Sequence, residues 1–289
     1  MATQTSDYLT RNQIRVIETW SDFQRLVTGP KYRRWAFRGQ SKSEWSLNSS
    51  LSRYFIDYKI HQKSWPHQED RIIRIFRRKA QLFLEHVPDQ DDTLQWLALI
   101  QHHGGVTRLL DFTWSPFVAA FFALEKAKTD CAVWAVNMAV LRNIEYVFPS
   151  EKSQKKVPHP GNLANFKNFF MGNAVPFVTP EEPYQMSQRQ IAQSGTFLVP
   201  GVLDTPIEGI ISQTREPHKA LVKFVLKTDK IREKAMESLY YMNITNATLF
   251  PGLDGLARSL AYELEFHWAF NPKTMEEYPD HRYFQTEGS

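Results

Sequence analysis

One segment of the chain, residues 99–125, places many polar side chains between two strongly apolar stretches. It reads LIQHHGGVTRLLDFTWSPFVAAFFALE, and its polar members are Gln101, His102, His103, Thr107, Arg108, Asp111 and Thr113. Polar groups buried among apolar neighbours need hydrogen-bond partners, and dense groups of them are more typical of functional sites than of purely structural positions. The segment therefore predicts both part of the core and part of a candidate site.

The adjacent histidines of this segment, His102 and His103, do not predict a metal site. Neighbouring residues on a helix point about 100° apart, whereas a metal-binding pair is spaced i, i+4. We expect one imidazole to hydrogen-bond a ligand or polarise a hydroxyl group and the other to stabilise the helix end. Arg108 and Asp111 are spaced to form an ion pair across a turn, and a ligand-binding role for both is the alternative.

Arg38 lies at the end of another apolar run. Trp35, Ala36 and Phe37 precede it, and Gly39 follows, where a backbone turn is expected. An arginine at the end of a buried strand is unfavourable unless a carboxylate, phosphate or carbonyl group accepts its hydrogen bonds. A structural ion pair and a ligand contact both satisfy this requirement.

The hydrophobic periodicity predicts an α+β fold, because helices come early in the chain and strands cluster later. Predicted helices cover 14–27, 66–87, 92–104, 115–128, 228–242 and 255–270, and predicted strands cover 34–39, 131–138, 174–180, 195–201 and 219–227. Residues 142–175 have no steady period and predict an irregular insertion. No linker rich in Pro, Gly and Ser divides the chain, which predicts a single domain.

The composition narrows the class of protein. The formal net charge of +4 indicates a polyanionic partner. Cys131 is the only cysteine, which excludes an internal disulfide and a multi-thiolate zinc site. The polar first residues lack the apolar core of a signal peptide, and the apolar run at 117–124 is shorter than the ~20 residues that span a bilayer. We therefore expect a soluble cytoplasmic protein, without a metal.

Four motifs resemble, in order, those of the FRG domain, a family named after its Phe-Arg-Gly sequence. They are WAFRGQ, QHHGGVTRLLDFTWSPFVAAFFA, RQIAQSGTFLVPG and LFPGLDGLARSL. The resemblance extends over about residues 17–260 and implies that residues 1–289 form a single FRG-type domain. Members of the family occur in bacteria and phages, some in toxin–antitoxin and phage-defence settings. The resemblance thus implies a toxin with an antitoxin or inhibitor protein as partner.

A more distant resemblance is to arginine-specific ADP-ribosyltransferases. AFRG is similar to their aromatic-Arg-Gly strand, LLDFTWSPFVAAFFA to their Ser-Thr-Ser strand and following helix, and GTFLVPG to their third strand. This resemblance implies a split β-sheet flanked by helices, and NAD as the substrate. Arg38 would contact the pyrophosphate or a ribose of NAD, and Thr113 would shape the nicotinamide pocket. Gln40, Arg108 and Arg189 complete the expected cofactor-binding residues.

The chain departs from the transferase pattern at the expected catalytic glutamate. Thr196 precedes FLVP, and Gln193 lies three residues earlier. A glutamate would hold the ribose 2′-hydroxyl group and stabilise oxocarbenium character, whereas an amide can hold a hydroxyl group but carries no charge. The catalytic candidates are therefore His102, Asp111 and Gln193, with Glu69, Glu181 and Glu182 as other sources of a carboxylate.

Arginine and aromatic residues alternate in KYRRWAFR and in RIIRIFRRKAQ. This pattern indicates a surface for nucleic acid or for a partner protein, with Tyr32 or Trp35 stacking on bases. For the second stretch a solvated helix face is the simpler alternative. The surface candidates are Tyr32, Arg33, Arg34, Arg74, Arg77 and Arg78.

The residues and the resemblances together predict a toxin that transfers ADP-ribose from NAD to an acceptor, with RNA preferred over protein. One alternative is a module that binds nucleic acid or protein without catalysis. A second alternative is a ribonuclease in which His102 or His103 is the general base. Of the two arginines, we expect Arg108 to be structural, paired with Asp111, and Arg38 to contact the ligand.

Overall fold

A single mixed β-sheet forms the centre of the structure, a computed structural model that describes residues 8–148, 153–157, 165–267 and 269–278. Its strands are β1 (Ile14–Ile17), β2 (Trp35–Gln40), β3 (Leu110–Thr113), β4 (Cys131–Asn137), β7 (Val178–Glu181), β8 (Gly195–Pro200) and β9 (Leu221–Leu226), while β5 (Glu145–Phe148) and β6 (Ser153–Lys156) form a separate antiparallel pair. The order across the sheet is β1-β9-β4-β2-β3-β8-β7.

Helices pack against both faces of this sheet. They are α1 (Trp20–Val27), α2 (Ser50–Asp57), α3 (Trp65–Ala80), α4 (Thr93–His102), α5 (Pro116–Leu124), α6 (Met138–Asn143), α7 (Gln188–Ala192), α8 (Ile207–Ser212), α9 (Pro217–Ala220), α10 (Thr228–Tyr241), α11 (Asn246–Leu249) and α12 (Leu253–Glu263). A π-helix covers Phe166–Phe170, and 3-10 helices cover Arg11–Gln13, Pro30–Tyr32 and Gln62–Ser64. The predicted α+β class is confirmed. Within the described ranges, every helix is too short or too polar to cross a membrane.

The central strand β4 contributes side chains to the apolar clusters on both faces of the sheet. Val133 and Ala135 belong to the cluster that includes α5, whereas Trp134 and Val136 belong to the cluster on the opposite face. Side chains alternate along a strand, so a strand covered on both faces needs an unbroken apolar sequence. This explains the run CAVWAV, which predicts a buried strand.

The sheet opens between β2 and β3. Phe37 opposite Thr113 is the one residue pair that joins these strands, whereas β2 pairs with β4 over its whole length and β3 pairs with β8 over its whole length. The sheet therefore has two parts, β1-β9-β4-β2 and β3-β8-β7. The strands predicted at 34–39, 131–138 and 195–201 all lie in this one sheet, as expected.

Gly39 allows a helix to approach the sheet closely, and the prediction of a turn at this position is wrong. It lies within β2, opposite Val133 of β4. A Cβ atom at Gly39 would lie 2.0 Å from the Ala119 carbonyl oxygen and 2.6 Å from the Ala123 nitrogen. Both alanines belong to α5 and are fully buried. The missing side chain thus sets the distance between α5 and the strand that carries Arg38.

The first predicted helix, 14–27, is wrong in its first half. Residues Ile14–Ile17 form β1, which pairs in parallel with β9. The β-branched residues of this segment favour a strand, and the neighbouring sheet edge supplies the hydrogen bonds. Helix α1 begins only at Trp20, where the Thr19 side chain caps it by accepting a hydrogen bond from the Asp22 backbone nitrogen.

Other boundaries also differ from prediction. The helix predicted to residue 87 ends at Ala80, and the strand predicted from 174 begins at Val178. The predicted insertion contains β5, β6 and the π-helix, although its residues 149–152 and 158–164 lie outside the described residues. The periodicity missed β3, which only the resemblance to ADP-ribosyltransferases implied.

Replacing Gly39 by alanine should strongly destabilise the fold. The added methyl group would overlap the backbone of α5, and overpacking of a buried site costs ~1–3 kcal/mol or more of unfolding free energy. Gly172→Ala is the matched control, because a Cβ atom there meets nothing within 4 Å. Urea unfolding of both variants measures the difference. Equal stabilities would contradict the proposed close packing.

Candidate functional site

A cavity of about 220 Å³ lies where β2 and β3 separate. Its walls are formed by Phe37, Arg38, Gly39, Asp111, Phe112, Thr113, Phe122, Arg189 and Gln193. Five of these residues were predicted to belong to the site: Arg38, Asp111, Thr113, Arg189 and Gln193. The opening of the sheet therefore brings together residues that are far apart in the sequence.

Arg38 carries a charge that its protein neighbours satisfy only in part. Its Nη1 donates a hydrogen bond to the backbone oxygen of Asp111 at 2.6 Å. Its Nε is buried and has no hydrogen-bond partner among the described residues. Burial lowers the pKa of Arg38, the nearby Asp111 charge opposes this effect, and the positive charge of Arg53 adds to it. A guanidinium with spare donors at a cavity wall suits an anionic ligand.

Arg53 is a neighbour of the cavity that sequence reasoning missed. It lies on α2, and its Nη1 donates to the Asn48 backbone oxygen at 2.8 Å. Its positive charge is one of the causes of the lowered pKa of Arg38, after burial and the opposing charge of Asp111. No motif or periodic pattern around Arg53 indicates that this part of the chain lies near Arg38.

Thr113 and Gln193 hold the chain on one side of the cavity. The Thr113 hydroxyl donates to the Gln193 backbone oxygen at 2.6 Å and accepts from the Ser115 backbone nitrogen at 3.0 Å. The Gln193 Nε2 donates to the Leu249 backbone oxygen at 3.0 Å. The Thr113 hydroxyl thus positions the backbone, while the fixed carboxamide of Gln193 presents its oxygen as an acceptor.

Arg189 lines the cavity, and its charge acts on His102. The Arg189 guanidinium carbon is 4.7 Å from the centre of the Phe250 ring, a cation–π contact that places Phe250 beside the site. His102 is half-buried at the end of α4 and does not line the cavity. Burial, His103 and the Arg189 charge all lower the pKa of His102. Its imidazole is therefore mostly neutral at pH 7 and can accept a proton.

Arg108 is a structural residue, and the predicted Arg108–Asp111 ion pair is wrong. Arg108 is fully buried and binds the Glu69 carboxylate through both Nε and Nη2. Its Nη1 donates to the backbone oxygens of Phe170 and Pro200. The guanidinium thereby joins α3, the π-helix and β8, and it does not line the cavity. Its partner is 39 positions away in the sequence, so local spacing could not identify it.

Gln40 also lies outside the cavity, contrary to its predicted role in binding a cofactor. It is buried, its Oε1 accepts from the Trp134 indole nitrogen at 2.7 Å, and its Nε2 donates to the Ser46 backbone oxygen at 3.1 Å. Through these two hydrogen bonds, the Gln40 amide holds the loop after β2 against the sheet.

The predicted arginine and aromatic surface is only partly present. Tyr32 and Trp35 are buried, and Tyr32 packs edge-on against Phe224, so neither ring can stack on a base. The half-buried Arg77 lies over the Trp96 ring. The remaining candidates, Arg33, Arg34, Arg74 and Arg78, are exposed, with Arg74 in an ion pair with Asp70.

The other candidate carboxylates do not line the cavity either. Glu69 is paired with Arg108, and Glu182 accepts a hydrogen bond from the Trp114 indole nitrogen at 3.2 Å. Glu181 is buried on β7, where burial raises its pKa to about 7 despite a hydrogen bond from Thr179. Asp111 is therefore the carboxylate at the cavity wall. In the part of the chain that the structure describes, no cluster of His, Cys, Asp and Glu could hold a metal ion.

The fold is thus an α+β domain with a cationic cavity at an opening of its sheet. The FRG domain model matches residues 33–131, and this part of the chain belongs to the FRG family. The matched segment contains Arg38, Asp111 and Thr113, but neither Arg189 nor Gln193. No curated protein and no solved structure matches the chain. The predicted family is confirmed, while the likeness to ADP-ribosyltransferases stays a prediction.

The two arginines, Arg108 and Arg38, should respond oppositely to replacement by alanine. Arg108→Ala leaves the Glu69 carboxylate buried without its partner, which should cost about 3–5 kcal/mol of unfolding free energy. Arg38→Ala removes a partly satisfied charge and should cost less than about 1 kcal/mol. Thermal and urea unfolding check both values. A larger loss for Arg38→Ala than for Arg108→Ala would contradict these roles.

Glu181 should make the fold less stable as the pH rises. Its pKa is about 7 in the folded protein against an ordinary value of 4.5, so the folded state binds more protons between these values. The unfolding free energy should therefore fall between about pH 4.5 and pH 7, by up to roughly 3 kcal/mol. Glu181→Gln should remove this fall, whereas the same change at the exposed Glu85 should not. Urea unfolding at pH 5, 6, 7 and 8 measures the effect.

Proposed function

We propose that the cavity between β2 and β3 binds NAD and that the protein transfers ADP-ribose to an acceptor, with RNA preferred over protein. The observation that carries this proposal is the partly satisfied guanidinium of Arg38 at the opening of the sheet, whose buried Nε has no partner among the described residues and which lies next to Asp111. A planar, permanently charged group with free donors is well suited to a diphosphate. A cavity of about 220 Å³ encloses part of a dinucleotide and leaves the rest at the surface.

Asp111 is the carboxylate that we assign to the reaction, in place of the missing glutamate. During transfer, the acceptor nucleophile bonds to C1′ of the nicotinamide ribose. The bond from C1′ to nicotinamide breaks, and its electron pair leaves with neutral nicotinamide. A carboxylate beside this carbon stabilises the developing oxocarbenium charge and holds the 2′-hydroxyl group. The Gln193 carbonyl oxygen is a further acceptor for a ribose hydroxyl group.

His102 is the group that we assign as general base. Its lowered pKa keeps the imidazole neutral at pH 7, so it can take the proton that the acceptor hydroxyl or amine loses. His102 does not line the cavity, and the charge of the cavity residue Arg189 acts on it, so we expect the acceptor to approach from the side of Arg189. Modification of RNA by such an enzyme would be toxic to a cell, consistent with an antitoxin or inhibitor as partner.

A second candidate function is binding of an anionic ligand without catalysis. The observation that favours it is that the described cavity wall holds no glutamate and that the side chain of Asp111 is exposed rather than held by neighbouring groups. On this hypothesis Arg38 would still bind a nucleotide, and occupancy of the cavity would alter binding to a partner.

Asp111→Asn should abolish transfer while NAD binding remains. The amide keeps the shape but loses the charge, and loss of one such electrostatic contact lowers kcat by ~10²–10³-fold. Purified protein is incubated with RNA, cell extract and NAD labelled in the adenylate phosphate. Arg38→Ala should weaken the binding of NAD itself. The matched controls are Asp229→Asn and Arg71→Ala, because both of these residues are exposed and lie outside the cavity wall.

Three results of this assay separate the candidate functions. Label transferred to RNA or protein supports the transferase. NAD binding without release of nicotinamide supports the binding module and would contradict the transferase hypothesis. Cleavage of RNA in the absence of NAD, lost in His102→Ala, would instead identify a ribonuclease.

A further inference from the structure

We infer that the outer side of α2 binds single-stranded nucleic acid and presents it to the cavity. This surface, the α2 face, consists of Arg53 and Tyr54 on α2 and of Tyr58 and Lys59, which directly follow the helix. The inference deepens the proposed function, since it names the acceptor and its binding surface. It does not use the α3 arginines that sequence reasoning selected.

Two exposed tyrosines form the centre of the α2 face. The Tyr54 and Tyr58 side chains are 46% and 66% exposed, and their ring centres lie 4.5 Å apart with the planes inclined by 34°. The core contacts of α2 are made by Leu51 and Phe55, which are buried, so the tyrosines are not needed to hold the helix. Neighbouring aromatic rings that are this exposed suit unpaired bases, which stack on aromatic side chains whatever their sequence.

Positive charge lies beside these rings. Arg53 and Lys59, which flank the two tyrosines in the sequence, are exposed. Asp57 is the one acidic residue of α2, and its charge acts on Arg53. Cationic side chains next to exposed aromatics match the pattern of single-strand binding sites, where phosphates follow the charges and bases stack. A base within a duplex cannot reach the rings, so the α2 face should prefer single strands.

The α2 face adjoins the candidate site through Arg53. The first turn of α2 bonds to the chain that leads into β3, because the Leu51 backbone nitrogen and the Ser50 hydroxyl both donate to the Thr107 backbone oxygen, at 3.0 and 3.2 Å. The charge of Arg53 also acts on Arg38 in the cavity wall, while its neighbour Tyr54 is 46% exposed. A strand stacked on the tyrosines would therefore place a nearby nucleotide at the mouth of the cavity. The surface around Arg74 and Arg77 offers no comparable arrangement, because Arg74 is paired with Asp70 and Arg77 packs on Trp96.

Binding of a fluorescein-labelled 12-nucleotide RNA, measured by anisotropy without NAD, tests this inference. Tyr54→Ala and Tyr58→Ala should each weaken binding by ~5-fold or more, and the double variant by more than either. Tyr58→Phe should bind like the wild type, because stacking needs the ring and not the hydroxyl group. Tyr241→Ala is the matched control, since Tyr241 is 79% exposed on α10, outside the α2 face. Melting temperatures confirm that the variants are folded.

Several results would overturn the inference. They are equal binding by wild type and the double variant, preference for duplex over single-stranded RNA, or loss of binding only in Arg74→Ala and Arg78→Ala. The inference would also fail if an extract protein were labelled equally by the wild type and by the double variant, because the acceptor would then be a protein that does not need the α2 face. NAD turnover is measured in parallel: RNA binding through the tyrosines without NAD turnover would refute the transferase and leave the α2 face as a nucleic-acid site.

Discussion

One residue pair, Phe37 with Thr113, joins the two parts of the sheet, and the candidate site depends on it. If β2 and β3 paired along their whole length, their backbones would fill the space in which Arg38 now meets Asp111. Thr113 holds the position with its side chain as well, because its hydroxyl bonds both to Gln193 and to Ser115 at the start of α5. The opening is thus a defined feature of the fold.

Arg38 and Arg108 show how the surroundings of a guanidinium group decide its role. Arg38 lies in β2 and Arg108 lies just before β3, and both have apolar neighbours in the sequence. Arg108 has a carboxylate and two carbonyl oxygens, so its charge is balanced within the protein. Among the described residues, Arg38 has one carbonyl oxygen as acceptor and an Nε without a partner, which leaves it able to bind an anion. The same residue type therefore serves stability at one position and recognition at the other.

The sequence predicts those parts of the fold that local patterns determine. The apolar run CAVWAV gives a buried strand, and the Ser115–Pro116 sequence marks the start of α5. Properties that depend on contacts between residues far apart in the sequence could not be predicted. The partner of Arg108 is Glu69, and the environment of Tyr32 depends on Phe224. The motifs predicted the cavity residues Arg38, Asp111, Thr113, Arg189 and Gln193. They did not predict the parts played by Arg53 and Phe250, because these residues come near the site only in the folded chain.

The position of β1 has a consequence for how the chain folds. This strand pairs with β9, and next to it the Gln13 side chain bonds to the Leu221 backbone oxygen, 208 positions away. β9 also separates β1 from β4 in the sheet. A ribosome must therefore synthesise most of the chain before β1-β9-β4-β2, the part of the sheet that carries Arg38, can form. Such long-range pairing slows folding and leaves strand edges exposed meanwhile, so newly made chains should depend on chaperones more than their modest length suggests.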